Sequence, residues 1–250
     1  KNQHPGSIVL FRMGDFFETF NEDAKITANI LGIVLTKRAN GAASEVPLAG
    51  FPHHALDNYL PKLVNAGHRV AICEQVEDPK LAKGIVKRKV IEVVTPGTIT
   101  ADQALNEKSN SYIASVFSYH DNSGYAVLDQ STGEFFIGEC SSNNLTECLR
   151  KFTPKEVLVG ENITYSTSEW YRELNPFVTP VEDWLFNFDQ SHRSLTSHFG
   201  TNSLKGFGCE ELVHGITAAG VIFYHIKNDL NGRLEHVLSV CPVLENTIMN

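Results

Sequence analysis

"VLFRMGDFFETFNEDA", residues 9–24, is the stretch on which the reading of the first part of the chain turns. Its apolar run breaks at Gly14 and Asp15 and passes at once into a helix-like pattern, with two adjacent phenylalanines, Phe16 and Phe17, at the break. With Asp15 as N-cap, Phe17, Phe20, Ala24, Ala28 and Leu31 recur at helical spacing, which predicts a helix over residues 16–31 with Phe17 facing the core. Phe16 then lies on the flank of that stripe. Leaving so large an apolar side chain exposed forgoes roughly 1.5–3 kcal/mol of burial, so it is either covered by another loop or projects toward solvent or a partner. Glu18 falls at N3 of the same helix, where a carboxylate reaches back to the cap and favours the helix N-terminus. Local geometry does not separate that capping role from recognition.

Working outward, "SIVLFRM" reads as a strand, "IVLT" as another, "HALDNYLPKLVNAG" as a helix, and "RVAICEQ" and "KRKVIEVV" as two further strands. Strands alternating with helices predict an α/β domain with a mixed sheet. In the second helix Leu56, Tyr59, Leu60, Leu63 and Val64 form one stripe, Gly67 is the C-terminal cap, and Pro61 predicts a kink or an early start. The turn "TPGT" at residues 95–98 and the polar "ITADQALNEKSNS" after it place a boundary near residues 100–110, giving domains 1–105 and 106–250. Beyond it "YIASVFSY", "YAVLD" and "EFFIGE", joined by "HDNSG" and "QSTG", predict a β-meander. A helix over Leu145–Phe152, the strand "EVLVG", an aromatic stretch without clear pattern, and an apolar helix from about Glu210 to Ile226 follow. Meander, then helix and strand in alternation, resembles the ribonuclease H-like arrangement, so two consecutive α/β domains are expected.

The chain has 250 residues and a formal net charge of −8, which argues against a nucleic-acid partner until its distribution is considered. Residues 1–100 carry 12 Lys+Arg against 10 Asp+Glu, whereas the remainder carries 9 against 19. Binding to a phosphate backbone needs local positive potential, so the acidic part weakens that class of function only for itself. Five widely spaced cysteines without a C-x-x-C suit reduced thiols in a cytoplasmic protein. No run of eighteen apolar residues and no apolar signal segment predicts membrane insertion or secretion.

Six ordered stretches, "RMGDFFETF", "LTKR", "LAGFPHHALDNYLPKLV", "AICEQVEDP", "KRKV" and "VTPGT", together closely resemble the N-terminal mismatch-recognition domain of the MutS family of DNA mismatch repair proteins. The remaining 140 or so residues resemble the family's ribonuclease H-like connector domain, by element order more than by motif. The resemblance implies that a Phe-x-Glu tripeptide reads mispaired DNA, carried here by Phe16 and Glu18. The central residue is Phe17, where tyrosine is common in the family; because it points inward, little effect is expected. Paralogues dedicated to other tasks generally lack the wedge pair, so its presence favours a mismatch sensor. The resemblance also implies that Arg38 and Arg88 run along the DNA backbone or groove, with Lys37 as a further positive charge and Met13 as an adaptable apolar neighbour of the wedge. The expected partners are mismatched double-stranded DNA, MutL, and a second MutS copy joined through later domains. The localisation expected is cytoplasmic and nucleoid-associated.

The residue types suit that task. An apolar wedge entering from the minor groove unstacks a base step at a cost of a few kcal/mol, and stacking a base on an aromatic ring returns about 1–3 kcal/mol. The two nearly cancel at a paired step, so binding tips toward steps already easy to open, such as mispairs. Glu18 beside phosphates must gain something specific, by accepting a hydrogen bond from a base N–H or by donating one after protonation.

Enzyme readings fare less well. Asp129 in "VLDQSTGEF" is read at the first-strand position where ribonuclease H-like nucleases hold a metal, but two-metal cleavage needs several converging carboxylates and no partner set is evident. There is no G-x-x-x-x-G-K-[ST], hence no P-loop ATPase; in the family ATP or ADP and Mg²⁺ belong to later domains, and this chain is expected to be a two-domain, non-enzymatic fragment without a cofactor of its own. The adjacent histidines His53 and His54 point apart on a helix and are not expected to bind a metal. The alternative function is an acidic protein-interaction and signal-transmitting module without autonomous DNA binding.

Overall fold

Strand β1 (Ser7–Met13) ends in a two-residue turn and returns as β2 (Phe16–Phe20), pairing Met13 with Phe16, Arg12 with Phe17 and Phe11 with Glu18. The computed structural model describes residues 1–39, 45–77, 86–99 and 111–243. The helix predicted over residues 16–31 is therefore only partly present: its first five residues are strand, and helix α1 runs Asn21–Leu31. Asp15 is a turn residue and not the N-cap, which is Phe20, and Glu18 sits in a strand and not at N3. The physical reason is the turn. Gly14 has φ 61 while Asp15 is not left-handed, the pattern of a II′ hairpin whose twist matches its flanking strands. Aromatic and β-branched residues at 16, 17, 19 and 20 favour the pleated surface that β1 and β4 complete on either side. Asn21, at φ 55, makes the corner into α1, whose Ala24, Ala28 and Leu31 are buried as the helical stripe predicts.

The chain divides into two compact units, Lys1–Lys108 and Ser109–Asn250. In the first, β3 (Thr36–Ala39), β4 (Glu45–Pro52), helix α2 (Leu56–Asn65), β5 (Arg69–Gln75) and β6 (Arg88–Val94) complete the order β3-β4-β2-β1-β5-β6. Among the described strands of this sheet only β1 and β5 run parallel, so the sheet is mixed. The strand read as "IVLT" begins at its last residue, Thr36, and β4 was not expected because Pro47 and Gly50 interrupt it. A 3-10 turn over His53–Ala55 leads into α2, Pro61 is buried within it, and Gly67 at φ 85 closes it with its N–H on the Val64 carbonyl at 2.9 Å. Residues of both helices pack against Phe17, Phe51, Ile8, Leu10, Val70 and Ile72, which lie on one face of the sheet. The pleat sends their neighbours to the other face.

The second unit carries β7 (Tyr112–Tyr119), β8 (Asn122–Asp129), β9 (Phe135–Ser141), α3 (Leu145–Arg150), β10 (Glu156–Gly160), α4 (Glu169–Leu174), β11 (Phe177–Val181), α5 (Phe188–Phe199), α6 (Val213–Tyr224) and β12 (Cys241–Val243). Its sheet order is β11-β10-β7-β8-β9-β12. The antiparallel meander β7-β8-β9 is extended by β10 parallel to β7 and β11 parallel to β10, which is the ribonuclease H-like pattern expected from the sequence. The apolar helix begins at Val213 and continues as a π-helical turn over His225–Asp229. Asp129 requires a correction: it ends the second strand of the meander, not the first, and its Oδ1 accepts bonds from the Ser131 N–H at 2.8 Å and Oγ at 2.6 Å. Its visible work is to close its own hairpin.

All five cysteines are free, and burial pushes the thiol of Cys73 up and that of Cys209 up to about 11, which keeps both protonated at neutral pH. Among the described residues no helix is long and apolar enough to cross a membrane, and no group of three or more His, Cys, Asp or Glu is placed to hold a metal.

Candidate nucleic-acid interface

The question raised by two adjacent phenylalanines is answered by strand alternation. Phe17 is 1% exposed and its ring lies 6.1 Å from that of Phe51 and beneath the Arg12 guanidinium at 5.8 Å. Phe16, one residue earlier, is 47% exposed. Because residues i and i+2 of a strand share a face, Phe16, Glu18 and Phe20 stand together on the side away from the helices. Directly opposite residues share that face too, so Met13, paired with Phe16, and Phe11, paired with Glu18, join them. Met13 is half-buried, and the Phe11 and Phe20 rings meet at 5.8 Å.

Glu18 is held in this surface. Its side chain is 18% exposed and accepts a bond from Arg38 Nη1 at 3.2 Å, with the Arg38 side chain 55% exposed. Gly50 lies opposite Glu18 on β4, where a Cβ would stand 2.9 Å from the Phe17 carbonyl and 3.3 Å from Glu18 Cγ. The absent side chain leaves room for Glu18. Lys37, adjacent to Arg38, turns to the opposite face by the same alternation and pairs with Glu45 at 2.7 Å, both side chains well exposed. A pair so exposed contributes at most about 1 kcal/mol. The structure therefore brings Phe16, Glu18, Met13 and Arg38 together and separates Lys37 from them.

Arg88 is half-buried at the start of β6, and its donors are turned toward protein: Nε to the Arg12 carbonyl at 2.9 Å and Nη1 to the Val86 carbonyl at 3.0 Å. Its neighbours Lys87 and Lys89 are exposed, while Lys80 and Lys83 of the same predicted cluster lie outside the described residues. His53, weighed in the sequence only as a metal ligand, instead directs its N–H and its Nδ1 at the Asp15 carbonyl, at 2.9 and 3.2 Å. Gln75 and Arg12 also act on the turn without a local signal in the sequence: Gln75 Nε2 reaches the Arg12 carbonyl at 3.3 Å from a strand 63 residues further along.

Comparison with known families matches residues 1–103 to MutS domain I and residues 111–237 to MutS domain II. The chain belongs to the MutS family. It is 46% identical over 247 residues to the DNA mismatch repair protein MutS of Flavobacterium johnsoniae, a match covering 98% of this chain and 28% of that protein. The MutS of Porphyromonas gingivalis is 46% identical over 246 residues, again 98% of this chain and 28% of the relative, and that of Salinibacter ruber is 44% identical over 245 residues, 96% and 27%. The chain thus spans little more than a quarter of the length of these relatives. Among solved structures, Thermus thermophilus RuvC in complex with a Holliday junction substrate aligns over 48% of this chain and 98% of its own, at 14% identity and a TM-score of 0.30, too distant a likeness to carry weight. The outward-facing hairpin lies within the part matched to MutS domain I, and Asp129 within the part matched to domain II.

Proposed function

We propose that this chain supplies the mismatch-sensing part of a DNA mismatch repair protein, with Phe16 as a wedge that stacks on a mispaired or unpaired base from the minor groove and Glu18 as hydrogen-bonding partner to that base. The observation that carries the reading is the contrast between Phe16, 47% exposed, and Phe17, 1% exposed, on one short strand. A large ring left out of the core at a hairpin tip forgoes burial that its neighbour obtains. Stacking against a base returns it. Met13 beside the ring supplies an adaptable apolar floor.

The Glu18–Arg38 pair offsets a carboxylate that phosphates would otherwise repel. On a duplex, Arg38 gains phosphate oxygens as partners and Glu18 gains a base N–H, so one pair is exchanged for two charge-assisted bonds. Lys87 and Lys89, both exposed, add positive potential to the same unit, whereas Lys37 is offset by its pairing with Glu45. The acidic second unit is suited to protein contacts, and we assign to it the transmission of the binding signal and the contact with MutL. We assign nucleotide chemistry with ATP and Mg²⁺ and the pairing of two MutS copies to segments other than these two units, and to the two units themselves a binding role and no catalytic one. Such a protein works in the cytoplasm, at the nucleoid.

Photo-cross-linking tests the reading. With a photoreactive phenylalanine at position 16 of a protein of the relatives' full length that carries these two units, adducts are expected at the mispaired nucleotide of a G·T heteroduplex. The same probe at position 17 is expected to give none. Adducts spread evenly along the duplex, or absent at position 16, would contradict the wedge.

A further inference from the structure

The turn that carries Phe16 is anchored at three of its carbonyls, those of Arg12, Gly14 and Asp15, by side chains and by one backbone N–H. Gln75 Nε2 and Arg88 Nε donate to the Arg12 carbonyl at 3.3 and 2.9 Å. Arg12 Nε in turn donates to the Gly14 carbonyl at 2.5 Å. The His53 N–H donates to the Asp15 carbonyl at 2.9 Å, with Nδ1 at 3.2 Å from the same oxygen. The register explains why side chains are needed. The parallel ladder of β1 and β5 ends at Phe11 and Cys73, so the Arg12 carbonyl lies beyond the backbone donors of β5 and would be left unpaired. The β5–β6 ladder continues past it and sets Gln75 opposite Arg88, side by side over that carbonyl.

We infer that Arg88 and Gln75, together with Arg12 and His53, are positioning residues that hold the Met13–Phe16 turn, and that Arg88 serves the interface through this brace and not by contact with a phosphate. The inference rests on the reading of Phe16 as the wedge. A hairpin tip bound only by its own ladder fluctuates, and ordering it on the duplex would subtract from the affinity of the inserted complex. A tip fixed during folding presents the ring already placed, so the ordering cost falls outside the binding step. Complexes on matched duplex, in which the ring is not inserted, do not depend on the brace.

Two substitutions separate the brace from a phosphate contact. Arg88→Lys keeps the positive charge but loses the two-pronged hydrogen bonding, and Gln75→Met keeps the volume and never carried a charge. In the full-length protein, each is expected to lower the ratio of heteroduplex to homoduplex affinity by roughly two- to ten-fold, the loss of about one hydrogen bond. Homoduplex affinity and its salt dependence should stay unchanged. Amide exchange at Asp15 and Phe16 should quicken in both variants while exchange in β5 and α2 does not, which distinguishes local loosening from unfolding. The inference is overturned if both variants keep the original ratio and exchange rates. It is equally overturned if Arg88→Met reduces the slope of log affinity against log salt by about 0.9, as loss of one phosphate contact requires, while Gln75→Met is silent. Phe16→Ala serves as the control for the underlying reading: if it leaves discrimination intact the wedge itself fails, whereas if it abolishes discrimination and the brace variants do not, only the brace fails.

Discussion

Replacing Phe16 by alanine is expected to weaken binding to a mismatched duplex by about 5- to 150-fold, the equivalent of the 1–3 kcal/mol that a base gains on an aromatic ring. Affinity for matched duplex should change little, because at a paired step the cost of unstacking already cancels that gain. The fold should be nearly indifferent: the side chain is half exposed, and its removal leaves the ladder of β2 with β1 and β4 intact. Thermal unfolding of the first unit should therefore shift by less than the equivalent of about 1 kcal/mol. The measurement is a pair of titrations, heteroduplex and homoduplex, at two salt concentrations, so that the sequence-independent phosphate contribution is separated from the wedge. Equal losses on both duplexes would mean that Phe16 contributes general affinity and not discrimination.

The second large effect belongs to its neighbour and has the opposite character. Phe17→Ala empties a site that is 1% exposed between Phe51, the Arg12 guanidinium and the core of α1 and α2. Buried phenylalanine to alanine changes cost about 3–5 kcal/mol, since a cavity is added to the lost transfer energy. For a unit of this size that corresponds to a fall in melting temperature of more than about 12 °C. Discrimination measured well below the new midpoint should persist, because Phe16 remains in place. Adjacent residues of the same type would thus separate stability from recognition. A stability loss below about 1 kcal/mol for Phe17→Ala would be at odds with the packing described.

The way these two residues are told apart shows what the sequence reveals and what it conceals. Long apolar or alternating runs bounded by turns were legible: β5, β7 and β10 have the very limits that "RVAICEQ", "YIASVFSY" and "EVLVG" suggest. Residues 16–20 were not, because five residues are too few for a period of 2 to be told from one of 3.6, and Phe17, Phe20, Ala24 and Ala28 satisfy the helical spacing by coincidence of a strand running straight into a helix. Two signals favoured the strand: the Gly14–Asp15 dipeptide between apolar runs and the aromatic, β-branched content that follows. The exposure of Phe16 was thus anticipated as one of two outcomes, on a geometry that the structure replaces. β4 was obscured by Pro47 and Gly50, which read locally as loop, and its Gly50 is explained only by the neighbouring strand that brings Glu18 against it.

The site divides along the same line. Once 36–39 is a strand, the separation of Lys37 from Arg38 follows from alternation alone. The pairing of Arg38 with Glu18 and of Arg88 and Gln75 with the Arg12 carbonyl requires the order and register of six strands, which are set by contacts between distant segments and not by any local run. The distribution of charge between the two units was legible from composition; which cations point outward was not.

The central claim, that the Phe16 ring stacks at a mispair, is tested most directly by fluorescence from 2-aminopurine placed in the mispair of a heteroduplex bound by the full-length protein. The account predicts a change in emission on binding, as the analogue leaves its neighbours for the phenylalanine ring, that is lost in Phe16→Ala at saturating protein and is absent when the analogue sits in a matched pair. An identical change with Phe16→Ala, or none with the unaltered protein at saturation, would contradict it.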